Sequence, residues 1–174
     1  LRSLSLAEVI DRLDDRFRLL TSSARTVEPR QQTLRAVVDW SHDLLDDDER
    51  VVFRRLAVFA GGATPTAAMV VCGDADNADA APGAIDVADV IARLIDKSLV
   101  VARNTRSGVR YQMLQTLQEY AAEKLIQADE TETVRLRHAS YFADFVQPAE
   151  RGLMGIAHSD WIERLYEERE NIGL

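Results

Sequence analysis

The sequence predicts a mainly α-helical chain that contains a winged-helix domain, with helices and one small β-hairpin. Apolar residues recur at helical spacing along most of the chain, and one short segment alternates polar and apolar residues. A helical pattern follows that segment with no Gly or Pro between them. Three helices, a hairpin and a closing helix over residues 48–127 are the order of a winged helix. A generic helical bundle with one stray hairpin is the alternative.

The first part of the chain predicts two helices joined by a linker. Ser5 is placed to cap the first helix, and the polar residues 21–32, closed by Pro29, indicate a linker or exposed loop. The apolar faces of the two helices are Leu6, Val9, Ile10, Leu13, Phe17 and Leu20, and then Leu34, Val37, Val38, Ser41, Leu44 and Leu45. We assign residues 1–30 to the end of a helical subdomain and its linker.

The winged helix itself, residues 31–127, has clear helix boundaries. The acidic run 46–49 suits the first turn of a helix, where carboxylates meet the positive end of the dipole, and predicts a helix start in preference to a metal site. The helix over residues 49–59 is apolar nearly all round, which predicts central core. Gly61 and Gly62 end it.

Two shorter helices should follow. Thr64 and Pro65 fit the N-cap and first position of a helix that runs through Cys72. An acidic low-complexity loop comes next, at residues 73–84, and Asp86 caps the helix after it.

The hairpin consists of "SLVVARN" and "VRYQM" around "TRSG", with Gly108 in the turn. Leu114, Leu117, Ala121 and Leu125 then define the closing helix, and residues 128–174 carry two more helical patterns. Their apolar and aromatic positions are Val134, His138, Tyr141, Phe142 and Phe145, and then Trp161, Leu165 and Ile172.

Composition excludes several classes of protein. The net charge is −8, so the chain as a whole lacks the excess of basic residues with which proteins bind nucleic acid or anionic membrane. Cys72 is the only cysteine, so no internal disulfide can form. With no apolar run of membrane-spanning length and no signal peptide, we expect a cytoplasmic protein without membrane contact. The chain starts at Leu1 and its last helical pattern stops without a cap, so we expect a piece of a longer protein.

The two surfaces with which a winged helix can contact DNA differ here in the sign of their charge. The helix over residues 86–97 has three Asp against Arg93 and Lys97, a sum of −1, and should repel phosphate. The hairpin instead carries Arg103, Arg106 and Arg110 with no acid among residues 102–110. Such a wing could contact phosphate, which positions a complex without specifying bases. The other interpretation is a basic hairpin that is solvated or faces a partner.

No catalytic constellation is present. The sequence has no P-loop, no G-x-G-x-x-G and no G-x-S-x-G segment, and no His pair has i,i+4 spacing. His138 lies on an apolar stripe and Cys72 is best interpreted as a small buried hydrophobe. We therefore predict no enzyme, no metal and no cofactor in this segment.

Four blocks occur in order: "LAEVIDRLDDRFRLLT", "RQQTLRAVVDWSHDLLDDDERVVFRRLAVFAGG", "VIARLIDKSLVV" and "RYQMLQTLQEYAAEKL". Over residues 5–127 the chain resembles the middle of bacterial NB-ARC-type signal-transduction ATPases with numerous domains, found in LuxR-type and AfsR-type transcriptional regulators, many of them actinobacterial. The tail, residues 130–174, resembles the start of their tetratricopeptide-like sensor region.

The resemblance implies that an ATPase domain, with its ATP or ADP and Mg²⁺, lies upstream of this chain. It also implies that DNA is contacted by an output domain outside the chain. The winged helix of such proteins acts as a lid on the nucleotide and couples effector sensing to output. The expected partners here are thus the ATPase domain and the helical repeats of the same protein.

The family's nucleotide sensor is a Met-His-Asp-like triplet where the last wing strand meets the closing helix. The matching positions here are Met113, Leu114 and Gln115. Leucine can neither donate a hydrogen bond nor carry charge to phosphate, whereas the glutamine amide could donate weakly. This departure predicts that the corner senses the ATPase domain by packing more than by phosphate contact.

Two alternatives come from other classes of function. The first is a DNA-binding winged helix that uses the basic wing. The second is a helical protein-interaction scaffold that uses the aromatic tail, with Tyr141, Phe145 and Trp161 as its partner surface. Exposure of that tail in a cut fragment would also allow the fragment to self-associate.

Overall fold

A computed structural model describes residues 29–73, 85–149 and 158–173. The predicted first helix with its Ser5 cap, and nearly all of the acidic loop over residues 73–84, lie outside the described residues. The contacts divide the chain into two compact units, the first ending at Leu45 and the second beginning at Asp46. The division expected from sequence, at residues 30 and 127, stays a prediction.

The described part of the first unit is helix α1, Pro29–Asp43. Our expectation that the linker extends to residue 32 was wrong, because Pro29 begins a helix. Proline suits a first helical position, where its missing N–H has no helical partner to lose. Val38 and Leu45 are buried as the pattern predicted, whereas Trp40 and Leu44 are exposed.

The second unit begins with helix α2, Asp47–Leu56, whose start is fixed by a capping box. Glu49 N donates to Asp46 Oδ1 at 2.8 Å, and Asp46 N donates to Glu49 Oε2 at 2.9 Å. The acidic run is therefore a helix start, as predicted. α2 ends at Leu56 and not at residue 59, because the next residues tighten to i→i−3 hydrogen bonds such as Phe59 N to Leu56 O.

Helices α3, Pro65–Cys72, and α4, Val87–Asp96, complete the helix-turn-helix, and both caps were predicted from sequence. Thr64 Oγ1 accepts from Ala67 N at 3.2 Å. Asp86 Oδ1 accepts from the N–H groups of residues 88 and 89 at 3.1 Å each. These bonds satisfy donors that the first turn would otherwise leave without partners.

Strands β1, Val101–Thr105, and β2, Gly108–Gln112, form the antiparallel wing. Ala63 bridges Tyr111 on the other side of β2, with both N–O distances 2.8 Å. This makes β2 the inner strand and β1 the edge. Gly62 permits the approach: its φ is +81°, and a Cβ there would lie 2.6 Å from Tyr111 O.

Helix α5, Gln115–Gln127, follows β2 after two residues and packs on α2. Helix α6, Thr131–Val146, packs on α3, and two further helices follow, α7, His158–Glu167, and α8, Arg169–Ile172. α2 contacts α3, α4 and α5, so its Val52 and Phe53 are fully buried at the centre of the core. The predicted fold class, helices with one small hairpin in a winged helix, is confirmed.

Candidate functional site

The second helix of the helix-turn-helix, α4, presents an acidic surface. Asp86, Asp89 and Asp96 are exposed on it. Its one arginine, Arg93, donates to Asp89 and lies 3.3 Å from Glu49 Oε1. The charge of Arg93 is therefore neutralised by carboxylates on its own helix and on α2, and the exposed face keeps its negative sign.

Glu49 is the buried acceptor for the cations of α4. It is 1% exposed, and its Oε2 accepts from Lys97 Nζ at 2.5 Å. Burial alone would raise the pKa of Glu49, but the hydrogen bonds from Lys97 and from the Asp46 N–H hold that pKa below its usual value. The carboxylate thus stays ionised and keeps Lys97 tied to the protein.

The three wing arginines predicted as one basic surface lie in different environments. Arg103, on the edge strand, is exposed. Arg106, at the turn, has a side chain 87% exposed and pairs with Glu163 at 3.2 Å. Arg110, on the inner strand, is only 5% exposed at its side chain.

Arg110 is fully engaged inside the protein. Its guanidinium makes a bidentate ion pair with Glu168, at 2.8 and 2.7 Å. It also donates to the carbonyl oxygens of Gly61 at 2.7 Å and Gly62 at 3.1 Å. This corrects our grouping of Arg110 with Arg103 and Arg106 as a phosphate- or partner-contacting wing, because its donors already bind Glu168 and the carbonyl oxygens of Gly61 and Gly62.

Helix α7 and Glu168, the N-cap residue of α8, supply the acids that contact the hairpin. Besides Glu163 and Glu168, Glu167 accepts a hydrogen bond from Ser107 Oγ and lies 3.4 Å from Thr105 Oγ1. Asn171, 2% exposed, links the same region by donating to Gly62 O at 2.9 Å and to Glu168 at 2.7 Å.

Sequence reasoning did not identify these four α7 and α8 residues. The signal that could have found them is the acidic segment "ERLYEEREN", residues 163–171, which complements the basic hairpin.

At the strand–helix junction, Met113 is half-buried and Leu114 is 61% exposed. Gln115 is exposed, and its Nε2 donates to Glu119 at 3.0 Å. The junction therefore offers an exposed apolar side chain beside a weak donor. Its predicted role as a nucleotide-sensor corner stays a prediction.

The aromatic residues of the tail pack on one another. Tyr141 and Phe145 contact Phe142 with ring centroids 5.1 and 6.1 Å apart, and Trp161 lies 5.9 Å from Phe145. Arg164 covers the Trp161 ring at 4.3 Å. The predicted partner surface is thus half-buried between α6 and α7.

Two residues with potentially reactive side chains are structural. Cys72 is fully buried, and burial raises the pKa of its thiol to about 12. His138 is 5% exposed among Phe59 and Phe142, and burial lowers its pKa although Asn171 and Glu168 oppose this. Within the described ranges no group of His, Cys, Asp and Glu side chains could hold a metal ion.

Comparison with known proteins agrees with this architecture. The winged helix-turn-helix domain family matches residues 45–126. The chain is 45% identical over 141 residues to "Putative HTH-type transcriptional regulator Rv0890c" of Mycobacterium tuberculosis and to "Putative HTH-type transcriptional regulator Mb0914c" of Mycobacterium bovis. These matches cover 81% of this chain but only 15% of each relative.

A third relative, "Uncharacterized protein Rv0894" of Mycobacterium tuberculosis, is 34% identical over 156 residues, covering 90% of this chain and 39% of the relative. No solved structure matches. None of the helices that the structure describes is long and apolar enough to cross a membrane. The fold and the comparisons lead to one conclusion: residues 45–126 form a winged helix-turn-helix domain, in a chain homologous to mycobacterial proteins named as HTH-type transcriptional regulators.

Proposed function

We propose that the chain is a regulatory part of a transcriptional regulator, and that its winged helix binds a protein surface instead of reading bases. The observation that carries this is the exposed face of α4, where Asp86, Asp89 and Asp96 stand with no unpaired cation among the described residues of that helix. A base-reading helix must enter the major groove, between phosphates spaced at roughly one charge per 1.7 Å of duplex axis.

The bound surface in this proposal is a nucleotide-binding domain of the same protein, on which the winged helix acts as a lid. Support for the lid comes from the family resemblance, and the exposed Leu114 offers an apolar contact at the matching corner. A lid requires two states separated by a few kcal/mol, so that an effector can shift their populations. ATP, ADP and Mg²⁺ would be bound outside this chain, and the purified chain should hydrolyse no ATP.

A charge-removal experiment tests the role of α4. The Asp86→Asn, Asp89→Asn and Asp96→Asn triple variant should bind a fluorescent duplex more tightly than the unmodified chain, in an anisotropy titration at low salt. Asn retains the N-cap at position 86, so α4 should stay folded. Asp144→Asn, at an exposed position on α6, is the control and should change little. Tight, sequence-selective binding by the unmodified chain through α4 would contradict the proposal.

A second candidate function is DNA binding through the wing. The comparisons favour this candidate more than the lid, because the matching family is a winged helix-turn-helix domain and two relatives are named as HTH-type regulators. The geometry allows it at Arg103 and Arg106, which are both exposed. Such contacts would position the protein on the phosphate backbone.

The second candidate has its own test. The Arg103→Ala/Arg106→Ala variant should bind a duplex more weakly and reduce the slope of log K against log salt by about 1 for each phosphate that the variant no longer neutralises. Arg135→Ala, at an exposed position on α6, is a control of equal charge change per residue. Binding that is unchanged in the double variant would remove this candidate and leave the protein-binding role.

A further inference from the structure

Glu163, Glu167 and Glu168 contact the hairpin at successive positions, from its turn toward its base. Glu163 pairs with Arg106 at the turn, Glu167 accepts from Ser107 and approaches Thr105, and Glu168 holds Arg110 at the base. The hairpin groups are a guanidinium, two hydroxyls and a second guanidinium. The two guanidiniums and the Ser107 hydroxyl donate to carboxylates of residues 163–168, whereas the Thr105 hydroxyl donates to Gly108 O at 3.0 Å and lies 3.4 Å from Glu167.

These are the donors that phosphate oxygens would use. Arginine forms charge-assisted hydrogen bonds with carboxylate and phosphate alike, and Ser and Thr hydroxyls are common phosphate contacts in protein–DNA complexes. Because a duplex offers phosphates with the same acceptor chemistry, a duplex and the acidic helix would compete for the wing tip. Arg103 lies exposed on the edge strand, close in sequence to Thr105, Arg106 and Ser107.

The contacts differ in how well they resist such competition. At the tip, the Arg106 side chain is 87% exposed and that of Glu163 is 42% exposed. Exposed pairs of this kind contribute about 0–1 kcal/mol and weaken with salt. At the base, Arg110 and Glu168 are 5% and 7% exposed, and breaking such a pair is costly. The outer contacts can therefore exchange while the base stays in place.

We infer that residues 158–168 are an autoinhibitory cover, whose Glu163 and Glu167 carboxylates occupy a phosphate-binding surface formed by Arg103, Thr105, Arg106 and Ser107. The ligand class is the phosphate backbone of duplex DNA, which displaces the outer carboxylates without breaking the Arg110–Glu168 pair. This inference rests on the second candidate function, phosphate contact by the wing. It adds the regulation of that surface.

The test compares charge-neutral variants in the full chain. Glu163→Gln/Glu167→Gln should bind a random-sequence duplex about 3- to 10-fold more tightly than the unmodified chain in low-salt anisotropy titrations. Glu119→Gln/Glu132→Gln removes the same charge at exposed positions on α5 and α6, and should change affinity less than about 2-fold. In addition, duplex should speed amide hydrogen exchange of residues 158–168 in the unmodified chain.

The outcomes distinguish failure of the autoinhibitory cover from failure of DNA binding by the wing. If Arg103→Ala/Arg106→Ala weakens binding but Glu163→Gln/Glu167→Gln behaves like its control, the wing contact stands and the cover is overturned. If Glu163→Gln/Glu167→Gln binds no duplex at all, removal of the cover reveals no phosphate surface, and both ideas are overturned. Unchanged exchange of residues 158–168 on a bound duplex would also overturn the cover.

Discussion

Both surfaces of this winged helix, α4 and the wing, carry cations that are paired with carboxylates, but the carboxylates come from different parts of the chain. Arg93 and Lys97 are held by Glu49 and Asp89, within the helices that build the core. Arg106 and Arg110 are held by Glu163 and Glu168, from the last described helices. The ion pairs on α4 form within the winged helix itself, whereas those on the wing need residues that follow it in the chain.

The difference shows how one domain can have a fixed and a conditional surface. Pairing of Arg93 and Lys97 requires only Glu49 of α2 and Asp89 of α4, so the exposed face of α4 stays acidic whenever the domain is folded. Neutralising the wing requires α7 and α8 to stay docked. Changes on the α4 side should thus alter the stability of the whole domain, and changes on the wing side should alter docking first.

The largest expected effect is at Glu49. Glu49→Gln keeps the capping box but removes the buried charge that Lys97 and Arg93 face, so the free energy of unfolding should fall by roughly 3 kcal/mol. This is the lower end of the range for breaking a buried pair, because Lys97 and Arg93 are 39% and 37% exposed at their side chains. Urea denaturation measures this loss. Asp47→Asn is the control, because the Asp47 side chain is 99% exposed, and it should change stability little. A loss at Glu49 no larger than at Asp47 would contradict a fixed α4 cluster.

A smaller loss, about 2–3 kcal/mol, is expected for Arg110→Met, which leaves Glu168 without its partner. The loss should be limited because α8 can detach and return Glu168 to water. Combining it with Glu168→Met should recover part of the loss, as a double-mutant cycle by urea denaturation would show. If the double variant is less stable than Arg110→Met alone, the pair is not the reason for the loss.

The next effect is a dependence on pH. Because burial holds the folded-state pKa of His138 below its usual value of 6.5, its contribution to stability is complete above about pH 6.5 and is lost as the pH falls toward the folded-state pKa. The slope attributable to this residue is at most about 1.4 kcal/mol per pH unit. His138→Phe should flatten the stability profile between pH 5 and 7 in thermal denaturation, and an unchanged profile would exclude His138 as its source.

The smallest effect is expected for Arg106→Ala, with less than about 1 kcal/mol change in stability, because its ion pair with Glu163 is exposed. Arg103→Ala provides the reference for loss of an exposed hairpin arginine. Chemical denaturation should show nearly equal midpoints for the two. A loss at Arg106 comparable with that of Arg110→Met would mean that the cover is as firmly attached at its tip as at its base.

Local features of the fold could be predicted from sequence. The caps at Thr64 and Asp86, the helix start within residues 46–49 and the turn at Gly108 each depend on a few adjacent residues. The start of α1 was missed because a polar composition was interpreted as a linker, although Pro29 can begin a helix.

The electrostatic partners could not be predicted in the same way. Glu49 and Lys97 are 48 residues apart, and Arg110 and Glu168 are 58 residues apart, so no local pattern connects them. Charge counting treated Arg103 and Arg110 as equivalent. They are cross-strand partners, but one lies on the edge strand and the other on the strand that also pairs with Ala63.

The bond between Arg110 and Glu168 also has a consequence during translation. The hairpin leaves the ribosome 58 residues before its acidic partner, which at synthesis rates of roughly 5–20 residues per second is a delay of about 3 to 12 s. For that interval Arg110 lacks its carboxylate partner, although the carbonyl oxygens of Gly61 and Gly62 have already been made. The bidentate ion pair of the wing therefore forms only after the residues that follow helix α6 have been made.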